Sequence, residues 1–136
     1  MATEAGYSAT ALPRKLGIGP NSRVLLDGAP QGFTLEPLSA GVTVHTRGSG
    51  DPYDVIVCFC PDGRRLDARF APLTRRLTTA GGLWICWPKR ASGVPTDLDE
   101  NAVREFGLGA GLVDVKVCAV DSVWSGLKFV VRLRDR

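Results

Sequence analysis

Short runs of apolar residues recur along the chain and are separated by stretches rich in glycine, proline and charge. The most apolar run, at residues 53–60, is typical of a strand that is buried on both faces. The last two runs alternate apolar and polar positions around a turn at 121–126, which predicts an antiparallel hairpin. Besides 53–60, the predicted strands are 23–27, 42–45, 83–87, 112–120 and 127–133.

Helical spacing of apolar residues occurs in three other segments. Residues 9–17 predict a short helix that ends at a glycine. Residues 64–79 carry an apolar stripe opposite several arginines, and Pro72 predicts that this helix is bent or divided in two. Residues 97–110 begin with acidic side chains, and we expect Thr96 or Asp97 to cap this third helix.

Strands and helices alternate along the chain, which is typical of a mostly parallel sheet. We therefore predict a single α/β domain over residues 9–136, preceded by a flexible tail at 1–8. Its fold class is a Rossmann-like three-layer arrangement, with a mostly parallel sheet of about six strands that ends in the antiparallel hairpin. A chain of 136 residues can bury one hydrophobic core and is too short for two domains.

Charge and cysteine content restrict the function only weakly. The formal net charge of +3 permits binding to phosphate or nucleic acid without indicating it. No apolar run is long enough to cross a membrane and the first residues lack a secretion signal, so we expect a cytoplasmic protein. All four cysteines lie in apolar runs, which favours core positions over metal ligation.

The order of elements resembles a shortened class I S-adenosylmethionine-dependent methyltransferase fold, whose parallel sheet also ends in an antiparallel hairpin. Four segments carry this resemblance. Residues 12–24 are similar to the first helix and strand of that fold, and residues 53–60 are similar to its fourth strand. The passage into its fifth strand resembles residues 77–87, and the turn into its sixth resembles residues 111–115. Two further stretches resemble members of an uncharacterised bacterial family known mainly from high-GC Gram-positive bacteria. That family has no function to transfer to this chain. The two stretches are Trp87-Pro88-Lys89 followed by Ser92-Gly93, and residues 124–129.

The chain departs from the methyltransferase pattern where that fold normally holds its cofactor. The loop after the first strand keeps an acid, Asp27, and two glycines, but Pro30 lies between the glycines. The second strand ends in His45-Thr46-Arg47, where the resemblance implies an acid for the ribose hydroxyls. The third strand and its helix are missing, because few residues separate 42–45 from 53–60. We therefore predict loss of S-adenosylmethionine binding and of methyl transfer, and expect no cofactor.

The carboxyl ends of parallel strands meet at one edge of the sheet, where α/β proteins usually bind ligands. We expect this edge to collect cations, small hydroxyls and an aromatic ring, with Arg47 at its margin. Such a set suits an anionic or nucleotide-like ligand, because a ring stacks on a base while cations neutralise phosphate. The predicted ligand-binding residues are Asp27, Lys89, Arg90, Ser92, Trp124, Ser125 and Lys128.

A structural interpretation of the same residues is also open. The lysines and the arginine would then be solvated loop charges, Trp124 would fix the hairpin to the core, and Asp27 would cap the next turn. No catalytic or metal-binding motif can be assembled, and His45 alone is more typical of a hydrogen-bonded surface histidine than of a base. The glycines of residues 107–111 follow a helix and precede a strand, so they predict a helix end rather than a dinucleotide loop.

Two functions follow from these patterns. The first is a binding or regulatory module that has lost methyl transfer and holds an anionic or nucleotide-like ligand or a protein partner. The alternative is a small enzyme, an S-adenosylmethionine-dependent methyltransferase included, that acts on an anionic metabolite. We expect helices 64–79 and 97–110 on one face of the sheet, which leaves the other face to the 9–17 helix and the 28–41 link. Covering that face predicts a homodimer or a protein partner.

Overall fold

The computed structural model describes residues 10–136, so the tail predicted at 1–8 lies outside the described part of the chain. Short 3-10 turns occur there at Arg90–Ser92 and Leu133–Asp135. The described helices are α1 Leu12–Lys15, α2 Gly63–Thr74 and α3 Glu100–Gly109. The described strands are β1 Arg23–Asp27, β2 Thr43–His45, β3 Tyr53–Phe59, β4 Leu77–Pro88, β5 Leu112–Ala119 and β6 Trp124–Val131.

The strands form one six-stranded sheet in the order β2-β1-β3-β4-β6-β5. The pairs β1–β2, β1–β3 and β3–β4 are parallel, whereas β6 is antiparallel to both β4 and β5. The predicted α/β class, the mostly parallel sheet and the terminal hairpin are therefore confirmed. β2 lies at one edge, and the described chain runs from it to β3 through residues 46–52 without another strand or helix.

Each face of the sheet carries its own hydrophobic core. Helices α2 and α3 cover one face, where the Phe70 ring meets the rings of Phe106 and Phe129 edge-on at centroid distances of 5.3 and 5.6 Å. Such aromatic pairs contribute about 1 kcal/mol each beyond the burial of their surface. Neither these helices nor α1 is long and apolar enough to span a membrane.

The opposite face was predicted to be under-covered, and the chain itself buries it. Helix α1 and the 28–41 segment pack Leu16 and Leu35 against strand side chains such as Val57 and Trp84, all of them buried. The Trp84 Nε1 donates a hydrogen bond of 3.0 Å to the Leu16 carbonyl and so anchors α1 to the sheet. An open apolar face is therefore no longer a reason to expect a homodimer or a protein partner, and that expectation stays a prediction.

Strand β4 starts well before the predicted 83–87 segment. Gly81 and Gly82, read as a turn in the sequence, lie inside the strand, and β4 begins at Leu77. Glycine is required at position 81 because a Cβ there would lie 2.8 Å from the Asp54 carbonyl oxygen. The last part of the predicted 64–79 helix is consequently strand.

The two long helices also differ from their predicted bounds. Helix α2 is one helix that ends at Thr74, so Pro72 lies in its last turn and does not divide it. Helix α3 starts at Glu100 because the Asp99 side chain accepts a hydrogen bond of 2.8 Å from the Ala102 backbone N–H, and it is this acid that caps the helix. The glycines at 107–111 end α3 as predicted, and the last of them has a left-handed φ of 97°.

We expect Gly107→Ala to destabilise the fold, because α3 meets β6 closely at this position. An added Cβ would lie 2.0 Å from Cε1 of the buried Phe129 ring. Such overpacking costs about 1–3 kcal/mol in the free energy of unfolding, which urea denaturation measures. Gly109→Ala in the same helix is the control: nothing lies within 4 Å of its added Cβ, so the better helix former should leave stability unchanged or raised. Equal losses in both variants would contradict the packing argument.

Candidate functional site

The carboxyl ends of β1, β3 and β4 meet at one edge of the sheet, where ligands are usually bound in α/β folds. Asp27 ends β1 there, and its carboxylate is held by two arginines of α2. Arg65 Nη2 donates to Oδ2 at 2.9 Å, while Arg69 donates to both oxygens through Nε and Nη2, each at 3.1 Å. The Asp27 side chain is only 13 % exposed. Most of its acceptor capacity is therefore used within the protein.

Arg65 also fills the space next to the loop after β1. A Cβ added to Gly28, which has a left-handed φ of 71°, would lie 2.7 Å from Arg65 Nη2. The Arg65 Nε donates a hydrogen bond of 3.1 Å to the Phe59 carbonyl at the end of β3. The guanidinium is thus fixed on three sides: by Asp27, by the glycine loop and by β3.

Arg65 and Arg69 are the part of this site that sequence reasoning missed. They were assigned to the solvated stripe of the 64–79 helix, opposite its apolar face. Their spacing of one helical turn places both guanidinium groups on the same side of α2. A pair of arginines so spaced, directly after a buried strand and near a strand-ending acid, is the sequence signal that could have identified the cluster.

Thiols lie beneath this ion cluster. Cys58 Sγ is 3.4 Å from Asp27 Oδ2 and 3.6 Å from Cys60 Sγ, and both cysteines are buried. The contact with Cys60, followed by burial, raises the pKa of the Cys58 thiol, and burial raises that of Cys86. The Cys58 and Cys86 thiols are therefore protonated at neutral pH, which suits the core role predicted for them. Residues 10–136 contain no group of three or more His, Cys, Asp or Glu side chains that could hold a metal ion.

The loop after β4 forms a cavity of about 270 Å³ with the start of α3. Arg90 is exposed and makes no ion pair within residues 10–136. The Ser92 hydroxyl is used by the loop itself: it donates to the Lys89 carbonyl at 2.7 Å and accepts from the Val94 N–H at 3.2 Å. Of the predicted residues in this loop, Arg90 is therefore the side chain that lines the cavity. The lining consists of Trp87, Pro88, Arg90, Gly93, Val94, Thr96, Leu98 and Asp99.

Two hydrogen bonds connect this cavity to the turn before α2. The Thr96 hydroxyl donates to the Pro61 carbonyl at 2.8 Å, and the Asp97 carboxylate accepts from the Gly63 N–H, also at 2.8 Å. The two residues predicted to cap α3 therefore join neighbouring loops instead. These bonds tie the loop that lines the cavity to the start of α2, the helix that carries Arg65 and Arg69.

The hairpin residues are placed differently from the prediction. β6 begins at Trp124, because the Asp121 carboxylate accepts from the N–H groups of Val123 and Trp124 and tightens the turn. The Trp124 ring meets the Phe59 ring edge-on at 5.2 Å, which favours its structural interpretation. Ser125 pairs with β4 opposite Trp87, near the edge.

Lys128 is the clear departure from the predicted site. It lies within β6 opposite Trp84, not in the turn, and its side chain runs over Gly82 on the α1 face. The prediction placed it at the strand-end edge because it assumed a turn that reached residue 126. The earlier start of β6 moves it away from Asp27 and Arg90.

The end of β2 holds a hydrogen-bonded histidine. His45 Nδ1 lies 2.5 Å from the Tyr53 hydroxyl, which also bonds the backbone of Ser49. These contacts fasten the 46–52 loop and agree with the structural interpretation of His45. Arg47 is exposed in that loop, and none of the described ion pairs includes it.

Comparison with solved structures identifies the architecture. The N-methyltransferase NodS from Bradyrhizobium japonicum WM9 superposes with a TM-score of 0.56 at 16% identity, covering 87% of this chain and 90% of that chain. An rRNA methylase from Streptococcus thermophilus gives 0.55 at 10% identity, covering 89% and 94%. TrmN from Thermus thermophilus gives 0.51 at 14% identity, covering 90% and 47%. This chain has a methyltransferase-like fold.

The similarity is one of fold alone at these identities. No protein-family model matches the chain, and no curated protein matches its sequence. The predicted membership of a high-GC Gram-positive bacterial family therefore stays a prediction. The methyltransferase-like fold was predicted from the order of the strands and is confirmed.

The residues after β1 do not fit S-adenosylmethionine as the resemblance implies it is held. The resemblance implies an acid and closely spaced glycines at this place. Here the acid, Asp27, accepts from Arg65 and Arg69, and Arg65 occupies the space beside Gly28. The second strand, β2, ends in His45 where an acid for the ribose is expected.

We expect Asp27→Asn to lower the free energy of unfolding by about 2 kcal/mol, since it leaves two partly buried guanidinium groups facing a neutral amide. Urea denaturation at neutral pH measures the loss. Asp67→Asn is the matched control: Asp67 is exposed on α2 and makes no ion pair within residues 10–136, so its change should stay within about 0.5 kcal/mol. If the two variants were equally stable, the ion cluster would not hold β1 to α2.

The raised pKa values of Cys58 and Cys86 predict that stability falls in alkaline solution. Below 9.0, the usual thiol pKa, these groups are protonated in both states and their contribution is fully present. Above that pH the unfolded thiols release protons that the folded chain keeps, so up to about 1.4 kcal/mol per thiol is lost with each pH unit. Urea denaturation between about pH 8 and 10 measures this slope. The Cys58→Ala/Cys86→Ala variant should have a smaller slope, and an unchanged one would refute the assignment.

Proposed function

We propose that this protein is a ligand-binding or regulatory module that has the methyltransferase-like fold but does not transfer methyl groups. The observation that carries this proposal is the position of the Arg65 guanidinium, which lies against Gly28 and bonds Asp27. A cofactor at this loop would have to displace an ion-paired arginine and leave Asp27 without one of its donors. Both changes cost free energy, because breaking a largely buried charge pair leaves a desolvated charge unpaired.

The cavity beside Arg90 supports an anionic or nucleotide-like small molecule as the ligand. Arg90 supplies a positive charge that no described carboxylate neutralises through an ion pair. Trp87 and Pro88 give the same cavity an apolar wall, against which a ring can pack. Its volume of about 270 Å³ is near the lower limit of small-molecule sites. A compact ligand with one anionic group and one apolar group fits this lining.

The alternative is a small enzyme that acts on an anionic metabolite, including an S-adenosylmethionine-dependent methyltransferase. Its support is that the similar solved structures include an N-methyltransferase and an rRNA methylase, and that the cavity lies at the carboxyl end of β4. This alternative requires Arg65 to leave Gly28 when the cofactor enters. The two functions therefore differ in one measurable quantity, the affinity for S-adenosylmethionine.

Isothermal titration with S-adenosylmethionine tests the main proposal. We expect no binding to the native chain, and a gain of affinity in Arg65→Ala, which clears the space beside Gly28 and leaves Arg69 on Asp27. Arg64→Ala on the same helix is the matched control, since Arg64 is exposed and makes no described ion pair. Binding to the native chain in the micromolar range would overturn the proposal and favour the enzyme.

A thermal-shift panel of nucleotides and phosphorylated metabolites tests the ligand class. We expect at least one anionic compound to raise the melting temperature, and Arg90→Gln to weaken its binding about tenfold, the usual effect of losing one charge-assisted hydrogen bond. Arg75→Gln removes an equal charge at the exposed residue that follows α2 and should leave the affinity unchanged. If no compound shifts the melting temperature, or if Arg90→Gln has no effect, the cavity is not the ligand site.

A further inference from the structure

Three of the four lysines in this arginine-rich chain meet on the α1 face of the sheet. The first is Lys128, whose stem crosses Gly82: a Cβ there would lie 2.4 Å from Lys128 Cε. Its ammonium group ends beside α1, because a Cβ on Gly17 would lie 3.6 Å from Lys128 Nζ. The side chain therefore runs across β4 towards the end of α1.

Lys116 and Lys15 complete the group, called here the lysine patch (Lys15, Lys116 and Lys128). Lys116 in β5 pairs directly with Lys128 in β6, so both side chains leave the same face of the hairpin. Lys15 lies in the last turn of α1. Burial raises the pKa of the half-buried Cys118 thiol, while Lys15 and Lys116 oppose that rise, which places both lysines near Cys118. Cys118 lies two residues after Lys116 in β5, so its side chain is on the same face of the strand.

The lysine patch has no neutralising carboxylate among residues 10–136. The ion pairs described there involve Asp27, Glu100 and Asp114, and each of these acids pairs with an arginine. Asp114, the acid nearest to Lys116 in the chain, bonds Arg104 of α3 on the opposite face. Like charges directly opposite each other on neighbouring strands destabilise a sheet. The patch therefore carries a concentrated positive field at a cost to the fold.

The strand-end cavity carries less positive charge than the lysine patch. Its lining holds one cation, Arg90, and one acid, Asp99, which form no ion pair with each other. The two regions also differ in shape, because the loop after β4 forms a cavity whereas Lys116 lies exposed on the edge strand β5. An open sheet surface with several ammonium groups suits an extended anion better than a small molecule.

We propose that the lysine patch binds the phosphodiester backbone of a nucleic acid. Lysine ammonium groups neutralise phosphates as point charges, and the release of condensed counterions drives such binding without reading the sequence. An anionic membrane is a poorer match, since lipid-binding clusters generally contain about four to eight basic residues. The site is independent of the strand-end cavity and of the function proposed for it.

Fluorescence anisotropy with labelled single-stranded RNA tests the proposal, and single-stranded and duplex DNA distinguish the source of the phosphodiester. We expect Lys15→Gln/Lys116→Gln/Lys128→Met to weaken binding at least tenfold at about 50 mM salt. The slope of log affinity against log salt should fall by about 2, since each phosphate contact on a single strand contributes about 0.7. Methionine at 128 keeps the unbranched stem that crosses Gly82, and Lys→Arg at all three positions should keep the affinity.

The matched control is Arg64→Gln/Arg75→Gln/Arg134→Gln, which removes an equal charge from exposed positions outside the patch. It should change the affinity less than threefold, and Arg90→Gln should leave it unchanged. Because Lys116 is exposed on the edge strand β5, the single variant Lys116→Gln tests the patch even if the triple variant does not fold. Bound RNA should also slow alkylation of Cys118, the one cysteine of the four that is not buried.

Several results would overturn the proposal. They are the absence of nucleic-acid binding to the native chain at low salt, equal losses in the lysine and arginine variants, and full affinity in the lysine variants. A loss confined to Arg90→Gln would place the binding at the strand-end cavity instead. Binding to vesicles that contain phosphatidylserine, without binding to RNA or DNA, would assign the patch to a membrane.

Discussion

The ion cluster around Asp27 is the interaction on which the strand-end edge depends. A single carboxylate at the end of β1 accepts from Arg65 and Arg69 of α2, while Arg65 also bonds the last carbonyl of β3. The cluster therefore joins two parallel strands to the helix that covers them. A carboxylate with this little exposure must be paired to be tolerated. Arg65 also fills the space beside Gly28 in the loop after β1. The contacts that stabilise this edge of the sheet therefore also determine which ligands could approach that loop.

The opposite face of the sheet, which α1 covers, is buried by much less of the chain. The chain has only a four-residue helix and the 28–41 segment to cover strands that are apolar on both sides. Trp84 makes this possible, because its large ring fills the space under α1 and its Nε1 fixes the helix through the Leu16 carbonyl. Few covering residues therefore bury this face over β1, β3 and β4. The part of that face over β5 and β6 stays more open, and it is there that Lys116 and Lys128 lie.

The sheet could be predicted from sequence because buried strands are nearly continuous apolar runs, and the order of such runs restricts the topology. The placement of individual residues that depends on strand register could not be predicted. Gly81-Gly82 has the composition of a turn, and only the closeness of Asp54 and Lys128 explains glycine inside a strand. Arg65 and Arg69 follow the pattern of a solvated helix face, since their partner lies far away along the chain. Lys128 was misplaced because a short Asx turn at Asp121 advances the whole of β6.

Arginine and lysine divide the electrostatic roles in this protein. The described ion pairs with Asp27, Glu100 and Asp114 use the guanidinium groups of Arg65, Arg69 and Arg104, which suit bidentate and partly buried contacts. Lysine takes part in none of them. A flexible, strongly hydrated ammonium group gains less from a fixed internal partner, and it remains available to phosphate in solution. The ion pairs that hold the fold together are therefore made by arginines, whereas the lysine patch offers a partner three charges that none of the described ion pairs uses.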